Sequence, residues 1–326
     1  MSDKVFINDI VVTTRVRLAR NIADIPYPTK SSPEKAECAV SRIKEATEGN
    51  PLLAGDGFGF VPLDNAGELQ KRSMVERHLI SPELGKYSGA GAIVSRSGTI
   101  SIMVNEEDHC RIQCIMPGFA LKKAYQEANR IDDAIQEKLV YSYSEKYGFL
   151  TSCPSNLGTG MRAGVMVHIP ALVLNGRLSG IAGMANRFGL AIRGIYGEGS
   201  EALGDLFQIS NQYSLGITEE EIVNNIHSIA KEIIKLERDE RNSLLINQED
   251  ALKDRIQRAY GILTNAHILA TKEAMSLLSL LRMGADLELF NGIDYRKLDD
   301  LIINIQPATL ALSFNESADE KARDIY

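Results

Sequence analysis

Apolar residues alternate from Thr99 to Val104, with Ile100, Ile102 and Val104 on one face, and Ile112, Cys114 and Met116 repeat that period over 111–116. A period of two marks a strand with one buried face. The polar run Asn105-Glu106-Glu107-Asp108-His109 between them predicts an antiparallel hairpin with carboxylates gathered at its tip. From Phe119 to about Lys146 the period lengthens, and Leu121, Ala124, Ala128, Ile131, Ile135 and Leu139 form one helical stripe. Short apolar runs at 165–170, 190–195 and 206–209, separated by glycine-rich turns, predict a second group of strands. Thr218 with Glu221 has the spacing of a capping box. It opens a long helix with Ile222, Ile226, Ile229 and Ile233 on one stripe, and the rest of the chain to Tyr326 reads as helical, notably 251–260 and 271–283. The charged run Glu237-Arg238-Asp239-Glu240-Arg241 interrupts the apolar pattern and places a boundary near 238–250. The class is therefore α+β over residues 1–240, followed by an all-helical C-terminal domain over 241–326.

Composition narrows the function classes. With 44% hydrophobic and 24% charged residues the chain can bury a core. A net charge of −7 does not draw it to nucleic acid or to acidic membranes. No apolar run reaches membrane-spanning length, and the first ten residues lack a basic segment followed by an apolar one. Cys38, Cys110, Cys114 and Cys153 make no Cys-x-x-Cys pair, and the histidines have no metal-ligand spacing. A reduced, cytoplasmic setting is the expectation.

Against the acidic background, arginine recurs at short intervals. Thr13-Thr14-Arg15-Val16-Arg17 sets two guanidiniums on one side of an extended segment, with Arg20 close behind. Arg162 and Arg193 lie in what read as two glycine-rich turns, Gly160-Met161-Arg162-Ala163 and Arg193-Gly194-Ile195-Tyr196-Gly197-Glu198-Gly199. Arg111 follows the acidic tip directly. The chain has neither a P-loop nor a Gly-x-Gly-x-x-Gly turn after a strand, so a nucleotide triphosphate would have to be held by such side chains. Bidentate guanidinium contacts suit that task, at about 1.5–3 kcal/mol each. A carboxylate cluster suits a guanidinium acceptor, which is protonated below about pH 12 and must lose a proton to become a nucleophile. Cys153, in Cys153-Pro154-Ser155-Asn156-Leu157-Gly158, adds a third candidate anion. Taken singly, each arginine also reads as solvated surface charge, the acidic run as a polar hairpin tip, and Cys153 as a buried inert thiol.

In combination and order, Thr14-Arg15-Val16-Arg17, Asn105-Glu106-Glu107-Asp108-His109, Cys153-Pro154-Ser155-Asn156-Leu157-Gly158-Thr159-Gly160 and Arg193-Gly194-Ile195-Tyr196-Gly197-Glu198 resemble the phosphagen (guanidino) kinases. Within them the likeness is closest to the bacterial protein-arginine kinases. The resemblance implies an antiparallel sheet flanked by helices, ATP as phosphoryl donor, and Mg2+ held mainly by the nucleotide's phosphates. It implies that Arg15, Arg17, Arg111, Arg162 and Arg193 surround those phosphates and that His78 touches the nucleotide. Thr13, Thr14 and Val16, with 163–166 (Ala163, Gly164, Val165, Met166) and 194–197 (Gly194, Ile195, Tyr196, Gly197), complete the nucleotide-binding segments. Glu107 matches the principal catalytic carboxylate, Asp108 an assisting one, Glu198 a second carboxylate on a closing loop, and Cys153 the reactive cysteine. The first arginine motif begins at Thr13, without the helical domain that covers small guanidino substrates in related kinases, which favours an arginine presented on a protein. Further implied are a homodimer, an activator protein, Clp-type protease partners and a role in bacterial stress response and protein quality control. Arg323 and Asp324 match the first half of an Arg-Asp-x-x-Arg-Ala motif that reads phosphoarginine. A non-catalytic adaptor for arginine-bearing or phosphoarginine-bearing clients, and a kinase for free arginine, are the alternatives.

Overall fold

The structure, a computed structural model, describes residues 9–84, 89–194, 203–290 and 292–314. The strands are β1 (Val11–Arg20), β2 (Gly59–Pro62), β3 (Gly91–Val94), β4 (Ile100–Val104), β5 (Cys110–Pro117), β6 (Tyr143–Ser144), β7 (Gly148–Phe149), β8 (Met161–His168), β9 (Leu190–Gly194) and β10 (Leu206–Asn211). The helices are α1 (Pro33–Glu48), α2 (Glu68–Glu76), α3 (Leu121–Gln136), α4 (Pro170–Leu174), α5 (Leu178–Arg187), α6 (Glu219–Asn247), α7 (Glu249–Asn265), α8 (Thr271–Asp286), α9 (Tyr295–Asn304) and α10 (Pro307–Ser313).

An eight-stranded sheet runs in the order β2-β3-β4-β5-β1-β8-β10-β9. Each neighbouring pair is antiparallel. The central strand β1 shows how the sequence makes two different faces. Thr14, Val16 and Leu18 are buried on one side, while Thr13, Arg15 and Arg17 alternate on the other. The apolar side of the sheet packs on α3 and α6, where Ala124, Ala128, Ile131 and Ile135 meet Ile222, Ile226, Ile229 and Ile233 in one core. Each fully buried isoleucine contributes about 1.5–3 kcal/mol. The capping box at Thr218 is present in full, with Glu221 returning the bond to the Thr218 backbone.

The β4–β5 hairpin forms where the alternation placed it, with Ile102 opposite Ile112 and Val104 opposite Cys110. Three local readings are corrected. The helix that opens at Leu121 ends at Gln136, and the segment after it turns into the small β6–β7 hairpin, closed by Gly148 at φ +74°. Arg162 and Arg193 sit on strands β8 and β9 rather than in turns. The charged run at 237–241 does not break α6, because Glu237 and Arg241 point inward and bond each other at 2.7 Å. The helix breaks at Gln248, inside the 238–250 boundary read from the sequence. Arg241 also donates to Asp286 of α8 at 2.7 Å, so this buried pair ties the C-terminal helices to the sheet side of the molecule.

Candidate active site

Sheet register gathers the arginines. Arg17 of β1 lies opposite Arg162 of β8, Ala19 of β1 opposite Arg111 of β5, and Arg193 of β9 opposite Gln208 of β10. Their side chains line one cleft of about 340 Å³ with His78, Gln113, Gln208 and Ser210. Sequence separations of more than a hundred residues thus collapse into one surface. Arg15, Arg17, Arg111, Arg162, Arg193, His78 and Gly194 are the predicted nucleotide residues that the cleft includes.

Others of the predicted segments serve the frame. The Thr14 hydroxyl donates to Gly118 O at 2.6 Å and accepts from Ala120 N at 3.0 Å, which fixes the entry to α3. Val16, Ala163 and Val165 belong to the core, and Met166 packs toward the C-terminal helices. Thr13 is half-buried and outside the cleft lining. Gly164 has a steric reason: a Cβ there would stand 2.5 Å from Ile209 O and 3.2 Å from the Gln208 side chain. Gln208 needs that space, since its Oε1 accepts from Arg15 at 2.7 Å. Arg20 belongs elsewhere: it is buried, bonded to Asp132 at 2.6 Å, and stacked 3.6 Å from the Phe149 ring centroid.

Five guanidiniums crowd the cleft, and their mutual repulsion shows at Arg15 and Arg17. Burial, then Arg111 and Arg162, pulls the Arg15 guanidinium down to about 10. Burial and the neighbouring Arg15, Arg111 and Arg162 hold Arg17 well below the ordinary range, with Glu106 the opposing influence. The buried Arg17 Nε has no hydrogen-bond partner among the described residues. Buried donors are normally satisfied, so this orphan marks a place for an acceptor. His78, held at a left-handed φ of 58°, is lowered to about 4 by burial and then by Arg15 and Arg17. A polyphosphate supplies what this surface lacks: several anionic oxygens, each able to accept from a guanidinium fork.

The acidic tip divides into three roles. Glu106 is buried and faces back, bonded to Arg111 and to the Ser81 hydroxyl, so it orients a cleft arginine. Glu107 is half-buried and has its carboxyl raised, first by burial and then by Glu106, Asp108 and Glu83 against the pull of Arg111. Asp108 is buried, and its Oδ1 accepts from Asn21 Nδ2 at 2.6 Å and from Ser152 N at 2.7 Å. That second bond joins the tip to the loop of Cys153, because Glu107 and Cys153 each lie one residue from it. Cys153 is half-buried, opens a short 3-10 turn and stands 3.1 Å from Ser155 Oγ. Cys110 and Cys114 are different: burial pushes both thiols up, Cys114 to about 12. Ile195, Tyr196, Gly197 and Glu198, and the terminal Arg323 and Asp324, lie outside the described residues.

Several residues of the site escaped the sequence reading. Gln113 donates to His78 O at 2.6 Å and so fixes the strained histidine backbone. Asn21 bonds Asp108, Leu150 O at 3.1 Å and His109 N at 2.9 Å, clamping hairpin tip and cysteine loop together. Asn211 accepts from Ala163 N at 2.9 Å and so fixes the strand that carries Arg162. The available signal was polar residues at alternate positions of otherwise apolar strands: Gln113 two after Arg111, and Gln208 and Ser210 in β10.

Among the described residues, no group of three or more His, Cys, Asp or Glu side chains stands close enough to hold a metal ion. No helix among them is long and apolar enough to cross a membrane.

Known proteins are similar to this chain in sequence and in fold. A protein-arginine kinase of Caldanaerobacter subterraneus subsp. tengcongensis is 44% identical over 97% of this chain and 94% of its own length. Those of Pelotomaculum thermopropionicum and Bacillus subtilis are 43% and 42% identical over 98% of this chain. Among solved structures, a duplicated taurocyamine kinase from Schistosoma mansoni with bound transition-state-analogue components matches 71% of this chain and 33% of that one, at TM-score 0.64 and 31% identity. A lombricine kinase matches 71% of this chain and 67% of its own at TM-score 0.63 and 26% identity. Residues 249–326 match the model of the protein-arginine kinase McsB C-terminal domain. Residues 40–240 match that of the ATP:guanido phosphotransferase C-terminal catalytic domain, and the chain belongs to this family of enzymes.

Proposed function

We propose that this enzyme transfers the terminal phosphoryl group of ATP to the guanidinium of an arginine side chain in a protein. The observation that carries the reading is the cleft in which Arg15, Arg17, Arg111, Arg162 and Arg193 converge beside the Glu107 hairpin tip, with a buried Arg17 Nε that has no partner among the described residues. In this reading the arginines hold the phosphate chain and neutralise the charge that spreads over the transferring group. The neutral His78 and the amides of Gln113 and Gln208 complete the walls without adding charge.

Glu107 takes the proton that a guanidinium nitrogen must lose. Its raised pKa strengthens it as a base, and its half-buried position keeps the carboxylate from being fully solvated. The nitrogen attacks the terminal phosphorus, an N–P bond forms, the bond to the bridging oxygen breaks, and ADP departs with that electron pair. Asp108 acts as a positioning residue through Asn21 and Ser152, keeping the Cys153 loop against the tip. In this reading the sulfur of Cys153 pairs with the guanidinium. Mg2+ would arrive with the nucleotide and supply charge neutralisation between phosphates.

Support for a protein rather than a small acceptor comes from likeness to protein-arginine kinases over nearly the whole chain. The experiment is incubation of the purified chain with ATP labelled at the terminal phosphate, a protein substrate and free arginine. Acid-labile label on arginine residues of the protein is the expected product. Label on free arginine alone would overturn the choice of acceptor, and no acid-labile product at all would overturn the activity.

A further inference from the structure

A second cavity, of about 480 Å³, opens on the other side of the acidic tip, between the start of α1 and the β2–β3 edge of the sheet. Its walls are apolar, with Val40, Phe60 and Pro62. Among the described residues, the charged side chains that line it are Glu37 and Asp64, both acidic and exposed. Asn105 lines it too and is almost fully buried, at 2% exposure. Its Nδ2 is committed to Ala36 O at 2.8 Å and Gly89 O at 3.1 Å. That leaves Oδ1 as the acceptor, and among the described residues it has no hydrogen-bond partner. Asp64 spends one oxygen on Gly89 N at 3.0 Å.

An apolar-walled cavity with acidic groups and a buried acceptor without a donor suits a long side chain with an aliphatic stem and a donor-bearing cationic head. We infer that this cavity is a substrate subsite for a lysine or arginine that flanks the target arginine in the polypeptide. The inference rests on the reading of a protein acceptor above. Its geometry follows from the chain: Asn105 is two residues from Glu107, hence at most about 7.6 Å away between Cα atoms. Two residues of an extended peptide span about 6.6 Å, so a long side chain within two positions of a target arginine whose guanidinium meets Glu107 has the length to reach the cavity mouth. The stem lies against Val40 and Phe60, and the head donates toward Asn105 Oδ1 and the acidic rim.

The test uses peptides with a single target arginine in a Gly/Ser context and lysine, alanine or glutamate placed in turn at each of the two positions on either side. Turnover is compared in the unmodified enzyme, in Glu37→Lys and in Asp64→Asn. Glu37 lies on the exposed face of α1, away from the nucleotide cleft, so substitution there probes the flank without touching the phosphate contacts. The expected result is a kcat/KM about fivefold higher for lysine than for alanine at one position at least, fading with added salt. Glu37→Lys should invert that preference so that glutamate is favoured, with the KM for ATP unchanged. Equal turnover of all flanks by the unmodified enzyme, or an unaltered lysine preference in Glu37→Lys, would overturn the subsite while leaving the activity standing. Phosphorylation of free arginine with no peptide turned over would overturn the protein-acceptor reading, and the subsite with it.

Discussion

On the helical side of the molecule, Arg241 donates to Glu237 and Asp286, both at 2.7 Å. Burial pulls its guanidinium down, but those two carboxylates outweigh it and hold Arg241 above the ordinary value. On the cleft side of the sheet, Arg15 meets the neutral amide of Gln208 and Arg17 has a buried Nε with no partner among the described residues. Both guanidiniums are held below the ordinary value, first by burial and then by neighbouring arginines, Arg111 and Arg162 among them. The two regions enclose the same side chain and differ in whether the described residues supply the anion. Where they do, the arginine is scaffold. Where they do not, the stability given up by the fold is available to a ligand that brings the anion.

The largest effect that can break this comparison lies at the carboxylate between cleft and solvent. Glu107→Gln should lower turnover by about two to four orders of magnitude while nucleotide affinity stays close to normal, since no phosphate contact is lost. Equilibrium binding and single-turnover kinetics separate the two quantities. Near-normal turnover would remove Glu107 from the chemistry.

On the scaffold side, Arg241→Met should destabilise the protein by about 3–5 kcal/mol, because Glu237 remains buried without its cation. Denaturant unfolding measures the loss. A change below about 1 kcal/mol would show that the pair is not the structural counterpart proposed for it.

A smaller effect, in pH, sharpens the cleft side. An imidazole in the unfolded chain takes up its proton near pH 6.5, whereas His78 does so only near 4. Between those values the unfolded chain binds more protons, so His78 costs stability increasingly as pH falls from 6.5 toward 4. Phosphates beside Arg15 and Arg17 would cancel part of the repulsion, and NMR titration should find the His78 value higher with ATP than without. An unchanged value would mean that the nucleotide's charge does not enter the cleft.

The fold was largely legible because its elements carry clean periods. The alternation in β4 and β5 and the stripes of α3 and α6 each encode one buried face, and the structure puts those faces together. Local composition misled where burial reversed its meaning. Glycines around Arg162 read as a turn, yet Gly164 serves a close strand contact, and Gly160 at φ +65° stands where a Cβ would meet Ala19 O at 2.6 Å. The run 237–241 read as an interruption of the apolar pattern, whereas Glu237 and Arg241 are buried in it, with the distant Asp286 and the α4 backbone amides of Ala171 and Leu172 as partners. In the site, motif residues were readable one segment at a time. Their division of labour was not, because it depends on partners far away in the chain. Glu106 is turned to Arg111 and Ser81, and Asp108 to Asn21 and Ser152, and no spacing within the acidic run distinguishes these from Glu107.

The central claim is that the cleft arginines are held at a cost to the fold that ATP relieves. Thermal unfolding of Arg17→Met beside the unmodified protein, each with and without ATP, tests it most directly. Methionine keeps much of the stem's packing and removes the charge and the orphan Nε. The account predicts that the variant without nucleotide melts at an equal or higher temperature, and that ATP raises its melting temperature much less than it raises that of the unmodified protein. A lower melting temperature without nucleotide, together with an undiminished rise on adding ATP, would contradict it and make Arg17 part of the scaffold.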